Sequence, residues 1–247
     1  MSADARVVLI TGGSRGIGRA CASRELAIGS QVIITARDGA AASEVATELV
    51  AEHGGEAVGL QFEQNDPMSL SALIREVHSV YKRLDGLVVN AGAHSGSPIG
   101  MVSDDEVQRL FSTNSVGVFR TVQAAVKLLR RGEKPSVVLV GSVMAGAGVA
   151  GQALYSMTKA AVHGLVVPAA RELGPLGIRV NAVAPGYVET DMLSSMSESQ
   201  RVDVVHRTPL GRLAQPEDVA DVVSFLLGES SRFVNGQVIG VDGGLVG

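Results

Sequence analysis

Val7-Val8-Leu9-Ile10-Thr11-Gly12-Gly13-Ser14-Arg15-Gly16-Ile17-Gly18 is the stretch on which the fold turns. A short β-branched run passes directly into a glycine-rich turn, and a helical pattern starts inside that turn. Working outward, similar apolar runs recur at Val32–Thr35, Ala57–Leu60, Leu87–Val89, Val137–Val140 and Ile178–Asn181, with a seventh at Val238–Val241. Most are apolar at every position, as expected of strands covered by helices on both faces. Helical patterns fill the gaps at about 16–28, 40–52, 68–82, 105–131, 152–173 and 217–228. Ser103-Asp104-Asp105-Glu106 has capping-box spacing, and Pro216 suits a first helical turn. Strand and helix alternate, and right-handed crossovers then give a parallel α/β sheet. The least regular stretch, Pro185 to Pro209 around Ser194-Ser195-Met196-Ser197-Glu198-Ser199, reads as a mobile lid over about 187–210.

Composition narrows the function. The chain has 247 residues with no linker dividing them, so one domain spanning 1–247 is expected. Its formal net charge is −4, and it has three Tyr, five Phe and no Trp. Neither a basic footprint nor a stacking platform for nucleic acid is present. Met1 to Arg6 is too short and polar for a signal peptide, and no apolar run approaches membrane length. Cys21 is the sole cysteine, so an intramolecular disulfide is impossible. A cytoplasmic protein is the resulting expectation.

The glycine turn has its own chemistry. Gly12, Gly16 and Gly18 are spaced Gly-x3-Gly-x-Gly, with Ser14, Arg15 and Ile17 between them. Such a turn lets backbone approach a pyrophosphate, and the helix behind it offers free N–H groups. The fold class is therefore read as a Rossmann-type, doubly wound, seven-stranded parallel sheet. A strand-to-helix turn also uses glycine for steric reasons, so the motif gains force only from its position. After the second strand, where an NAD site usually carries a carboxylate, stands Ala36, followed by Arg37. Arg15 and Arg37 together favour a 2′-phosphate, and hence NADPH/NADP. The other reading has Arg37 solvated and Asp38 on the ribose; Asp38 is also suited to starting the next helix.

A second constellation follows the fifth strand. Ser142 lies on Gly141-Ser142-Val143-Met144, and Tyr155-Ser156-Met157-Thr158-Lys159 opens a helix thirteen residues later. Four residues apart, Tyr155 and Lys159 share a helix face. An ammonium there would lower a phenol from its ordinary pKa of about 10, making it a proton shuttle. Ser142 could hold a carbonyl oxygen beside it. An isolated Tyr-x3-Lys is more often an ordinary helix pair.

Taken in order, the glycine turn, Val89-Asn90-Ala91-Gly92, Asn114, Ser142, Tyr155-x3-Lys159 and Pro185-Gly186 resemble the short-chain dehydrogenase/reductase family over the whole chain. The resemblance implies a catalytic tetrad of Asn114, Ser142, Tyr155 and Lys159. It implies a water on the Asn114 carbonyl and Lys159 on the nicotinamide ribose. Pro185, Gly186, Val188 and Thr190 would seat the carboxamide, with Asn90, Ala91 and Gly92 beside the adenosine ribose. Pro209–Leu213, Gln215–Ala220, Val180–Gly186 and Val241–Gly244 are similar to the bacterial 3-oxoacyl-(acyl-carrier-protein) reductases. Reduction of a 3-oxoacyl thioester is thus implied, with another ketone (polyol, terpenoid or steroid-like) or a non-catalytic dinucleotide scaffold as alternatives. The family packs as a homotetramer.

Departures qualify this. Val89 replaces an Asn of the family pattern. Glu63 and Gln64 stand where Asp-Val is usual, so adenine contacts there are altered. Positions near the site entrance that are basic in carrier-dependent reductases correspond to Glu133 and Leu176, with Arg130, Arg131 and Arg171 nearby. The five histidines have no metal-ligand spacing. His163 is expected to face a neighbouring helix or subunit. For His94 and Ser95 a flexible glycine-rich loop is favoured over a place at the substrate entrance.

Overall fold

In the computed structural model, residues 5–193 and 196–245 are described. Met1 to Asp4, and Ser194 and Ser195 of the expected lid, lie outside the described residues. Strands β1 (Val7–Thr11), β2 (Gln31–Ala36), β3 (Ala57–Gln61), β4 (Gly86–Val89), β5 (Ser136–Val140), β6 (Arg179–Pro185) and β7 (Val238–Val241) pair in the order β3-β2-β1-β4-β5-β6-β7. Every pairing is parallel. Helices are α1 (Gly16–Ala27), α2 (Gly39–His53), α3 (Pro67–Val80), α4 (Asp104–Phe111), α5 (Gly117–Leu129), α6 (Ala153–Leu173), α7 (Glu198–Arg207) and α8 (Pro216–Leu227).

Successive side chains on a strand point to opposite faces, so a sheet covered twice needs apolar residues at every position. Leu9, Leu87, Leu139 and Val180 pack with Leu73, Val122 and Val166 of α3, α5 and α6. Val8, Ile10, Ile34 and Val138 pack on the other face with Leu26, Leu49 and Val223 of α1, α2 and α8. All seven expected strands and the doubly wound architecture are present. The chain runs from β1 outward to β3, then returns to β4 on β1's other side. That reversal opens a crevice beyond the carboxyl ends of β1 and β4, where α/β sheets bind their ligands.

The amino edge is closed. Asp85, just before β4, is wholly buried. Its carboxylate accepts from Val7 N at 2.8 Å and Glu133 N at 2.6 Å, and pairs with Arg83 at 3.2 Å. Glu133 and Leu176 precede β5 and β6, so both lie on this edge, opposite the crevice. Within one chain they do not flank its entrance, which corrects their expected place. In a parallel sheet, every helix-to-strand connection returns to the amino edge.

Two other expectations change. The single helix expected over 105–131 is divided by a π-helical segment, Ser112–Val116. One extra residue in a turn leaves the apolar face on either side intact, so periodicity does not reveal it. Within the stretch read as irregular, α7 forms behind a capping box in which Ser197 accepts from Gln200 N and Gln200 accepts from Ser197 N.

Candidate active site

A groove of about 1060 Å³ runs along the carboxyl edge. Its floor at one end is the β1–α1 turn. Gly12 has φ +65°, and a Cβ on Gly18 would come within 2.2 Å of the Gly12 carbonyl oxygen. Helix and turn therefore meet backbone to backbone, which brings the α1 N-terminus to the groove. α2 and α3 are capped by Asp38 and Asp66, which accept from first-turn amides. By contrast, Arg15 at the N-cap of α1 makes no side-chain cap bond, and no acid lies in its first turn. Those donors, with the positive end of the helix dipole, are suited to a phosphate.

Gly12, Ser14, Arg15, Gly16 and Ile17 line this end, with Ala36, Arg37 and Glu63 opposite. Gln64 also borders the groove, but its buried side chain turns inward. Its amide donates to the carbonyls of Ala91 and Thr113, at 2.9 and 2.8 Å. Asn90, Ala91 and Gly92 follow β4. The Asn90 amide donates to the Thr11 and Gly12 carbonyls, while Thr11 Oγ1 accepts from Asn90 N and Ala91 N. These bonds fix two strand ends that the sequence left unconnected. Pro185, Gly186, Val188 and Thr190 line the far wall beyond β6.

Ser142, Tyr155 and Lys159 converge at the other end of the groove. All three are largely buried. Lys159 Nζ donates to the Val140 carbonyl at 2.9 Å and lies 5.9 Å from the centre of the Tyr155 ring. Burial disfavours the charged form of each group. It pushes Tyr155 up to about 12, against which the hydrogen bond with Ser142 acts, and brings Lys159 down to about 8. The depressed phenol expected from sequence is absent: desolvation outweighs the hydrogen bond with Ser142, and the Lys159 ammonium is tied to strand β5. At neutral pH the pair stands as a neutral phenol beside an ammonium.

Asn114 does not reach the groove wall. It sits in the π segment, 1% exposed, where its side chain accepts from Ala93 N and donates to Ala93 O and Thr158 Oγ1. Thr158 in turn donates to the Tyr155 carbonyl. Asn114 thus joins the loop after β4 to the helix carrying Tyr155 and Lys159. Gly18 also lies behind the wall, as packing.

On the substrate side, the loop after β4 is tied into the cleft where a flexible loop was expected. The His94 ring meets Tyr155 edge to face, centroids 4.9 Å apart, and its Nε2 pairs with Gln152 Oε1 at 2.9 Å. His94 is therefore part of the cleft. The signal for it in the sequence was its position just after β4, at the carboxyl edge of the sheet. His163, one turn beyond Lys159, faces inward, with Nε2 buried near Gly141. Among the described residues no cluster of three or more His, Cys, Asp or Glu could hold a metal ion, and no helix is long and apolar enough to cross a membrane.

Comparison with known proteins agrees with this geometry. A family model described as enoyl-(acyl carrier protein) reductase matches residues 12–246. The chain belongs to the short-chain dehydrogenase/reductase family. It is 34% identical over 245 residues to the 3-oxoacyl-(acyl-carrier-protein) reductase FabG of Salmonella typhimurium, covering 99% of both chains. Over 240 residues it is 36% identical to the enzyme of that name from Aquifex aeolicus, covering 97% of each. A Serratia marcescens short-chain dehydrogenase/reductase superposes with a TM-score of 0.91 at 30% identity, over 97% of each chain. Short-chain dehydrogenases/reductases are oxidoreductases that act on CH–OH groups with NAD(P)H, and this chain is one of them.

Proposed function

We propose that this enzyme reduces the ketone of a 3-oxoacyl thioester to a secondary alcohol with NADPH, and that Tyr155 donates the proton. The observation that carries the reading is the buried Ser142–Tyr155–Lys159 cluster in one groove with the uncapped α1 turn. NADPH, when bound, supplies the hydride.

The residues divide the remaining work. The α1 amides hold the pyrophosphate, and Arg15 and Arg37 favour the 2′-phosphate, since no carboxylate ends β2. Ser142 donates to the ketone oxygen and fixes it beside Tyr155. Burial keeps the phenol protonated, the state an acid requires. As negative charge develops on the ketone oxygen, Tyr155 passes its proton there, and the Lys159 ammonium stabilises the phenolate left behind. Asn114 holds the helix carrying both groups against the β4 loop. Its carbonyl lies in a π-helical turn, where backbone bonding is rearranged and a water can be held. The 187–210 segment serves as the lid over the substrate.

The two carrier-protein reductases named above support a carrier thioester as substrate. The test is NADPH oxidation with acetoacetyl thioesters against a panel of plain ketones. A higher kcat/KM for thioesters, and for NADPH over NADH, is expected. Preference for plain ketones would remove the thioester; tenfold preference for NADH would remove the cofactor assignment.

A homotetramer is also proposed. Val116, Phe119 and Met157 on the α4–α6 side, and Phe225, Phe233 and Val238 near the carboxyl terminus, are exposed apolar residues. Sedimentation should find four subunits; monomer alone at micromolar concentration would refute this.

A further inference from the structure

Arg15 has a partner of its own. Its Nη1 lies 3.2 Å from Oδ2 of Asp191, just beyond β6 on the opposite wall of the groove. The two walls approach again one residue earlier in the far segment: a Cβ on Gly16 would stand 3.0 Å from Cγ2 of Thr190. The far segment is fastened on its other side, where Arg201 of α7 pairs with Glu189. The two residues before Asp191, Glu189 and Thr190, thus lie against α7 and the glycine turn, and the Asp191 carboxylate rests on the guanidinium that faces the proposed 2′-phosphate site.

We propose that Asp191 is a specificity-determining residue that competes with the cofactor's 2′-phosphate for Arg15. The proposal rests on the NADPH reading above. A phosphate dianion and a carboxylate drawn to one guanidinium repel each other, so pairing with either weakens pairing with the other. A cofactor with a free 2′-hydroxyl makes no such demand on Arg15, so Asp191 lowers the preference for NADP(H) over NAD(H). Both side chains are about 70% exposed (70% and 73%), and the competition is therefore modest. Exposed ion pairs of this kind correspond to about a two- to fivefold change in an equilibrium constant.

Calorimetric binding of NADP+ and of NAD+ to the wild-type protein, Asp191→Asn, Arg15→Ala and the double variant tests this without a turnover assay. Asp191→Asn should tighten NADP+ about two- to fivefold and leave NAD+ unchanged. In the Arg15→Ala background, where neither anion is drawn to a shared cation, the same substitution should alter NADP+ binding much less. An equal effect on both cofactors, no effect on either, or an undiminished effect without Arg15 would overturn the proposal. The wild-type ratio reports separately on the cofactor assignment: equal affinity for NADP+ and NAD+ would remove that assignment, and the competition with it.

Discussion

The two edges of the sheet treat their polar groups in opposite ways. At the amino edge each buried charge is met by the protein itself. Asp85 takes two backbone amides and Arg83, and Arg179 donates to the carbonyls of Leu227 and Gly228. At the carboxyl edge the α1 amides lack a side-chain cap, and a lysine is buried against its charged form beside a phenol held neutral. Satisfied polar groups stabilise, whereas unmatched ones offer binding energy to a ligand. Stability and chemistry are thus separated across roughly one strand length, and variants at the two edges should fail differently.

The largest expected effect is on the open edge. Tyr155→Phe should lower kcat by about 10²- to 10⁴-fold, the usual contribution of a positioned acid, while NADP+ binding and thermal stability stay near wild type. Wild-type turnover in that variant would end the assignment of the acid. The closed edge should respond in stability instead. Asp85→Ala leaves two buried amides and Arg83 without their acceptor, and should cost about 3–5 kcal/mol in chemical unfolding. Its turnover per folded molecule should remain unchanged. A loss below about 1 kcal/mol would mean that the amino edge is less tightly built than its hydrogen bonds suggest.

A pH profile sharpens the contrast. Lys159 is charged below about 8 and neutral above it, whereas Tyr155 keeps its proton to about 12. For reduction, kcat/KM should therefore fall above about pH 8, approaching tenfold per unit, and the limb belongs to the lysine. A limb beginning only above pH 10 would assign it elsewhere. The smallest effect is expected at the rim. Arg37→Ala should weaken NADP+ about tenfold or less, as for loss of one exposed charge-assisted contact, and leave NAD+ unaffected. Equal weakening of both would place Arg37 outside 2′-phosphate recognition.

Local chemistry made much of this legible. Asp38 starts α2, as its sequence position suggested, so the end of β2 is left to Ala36 and Arg37. The glycine turn, Ser142 and Tyr155-x3-Lys159 were visible because each is a short-range pattern tied to a strand end. What escaped was long-range. Asp85 looks like any loop acid until Val7 and Glu133 are brought to it. His94 looks like loop until α6 places Tyr155 and Gln152 beside it. The π segment was hidden because the apolar periodicity continues through it.

Residue order alone settled the alternation of strand and helix, the parallel sheet, and which side chains stand at its carboxyl ends. Those features depend on steric and periodic preferences that act within a few residues. Only the packed chain decided the state of the groups: a phenol raised rather than lowered, an Arg15 already paired, a carboxylate buried as a clasp. Desolvation and ion pairing depend on neighbours tens to more than a hundred residues away, and no local pattern records them.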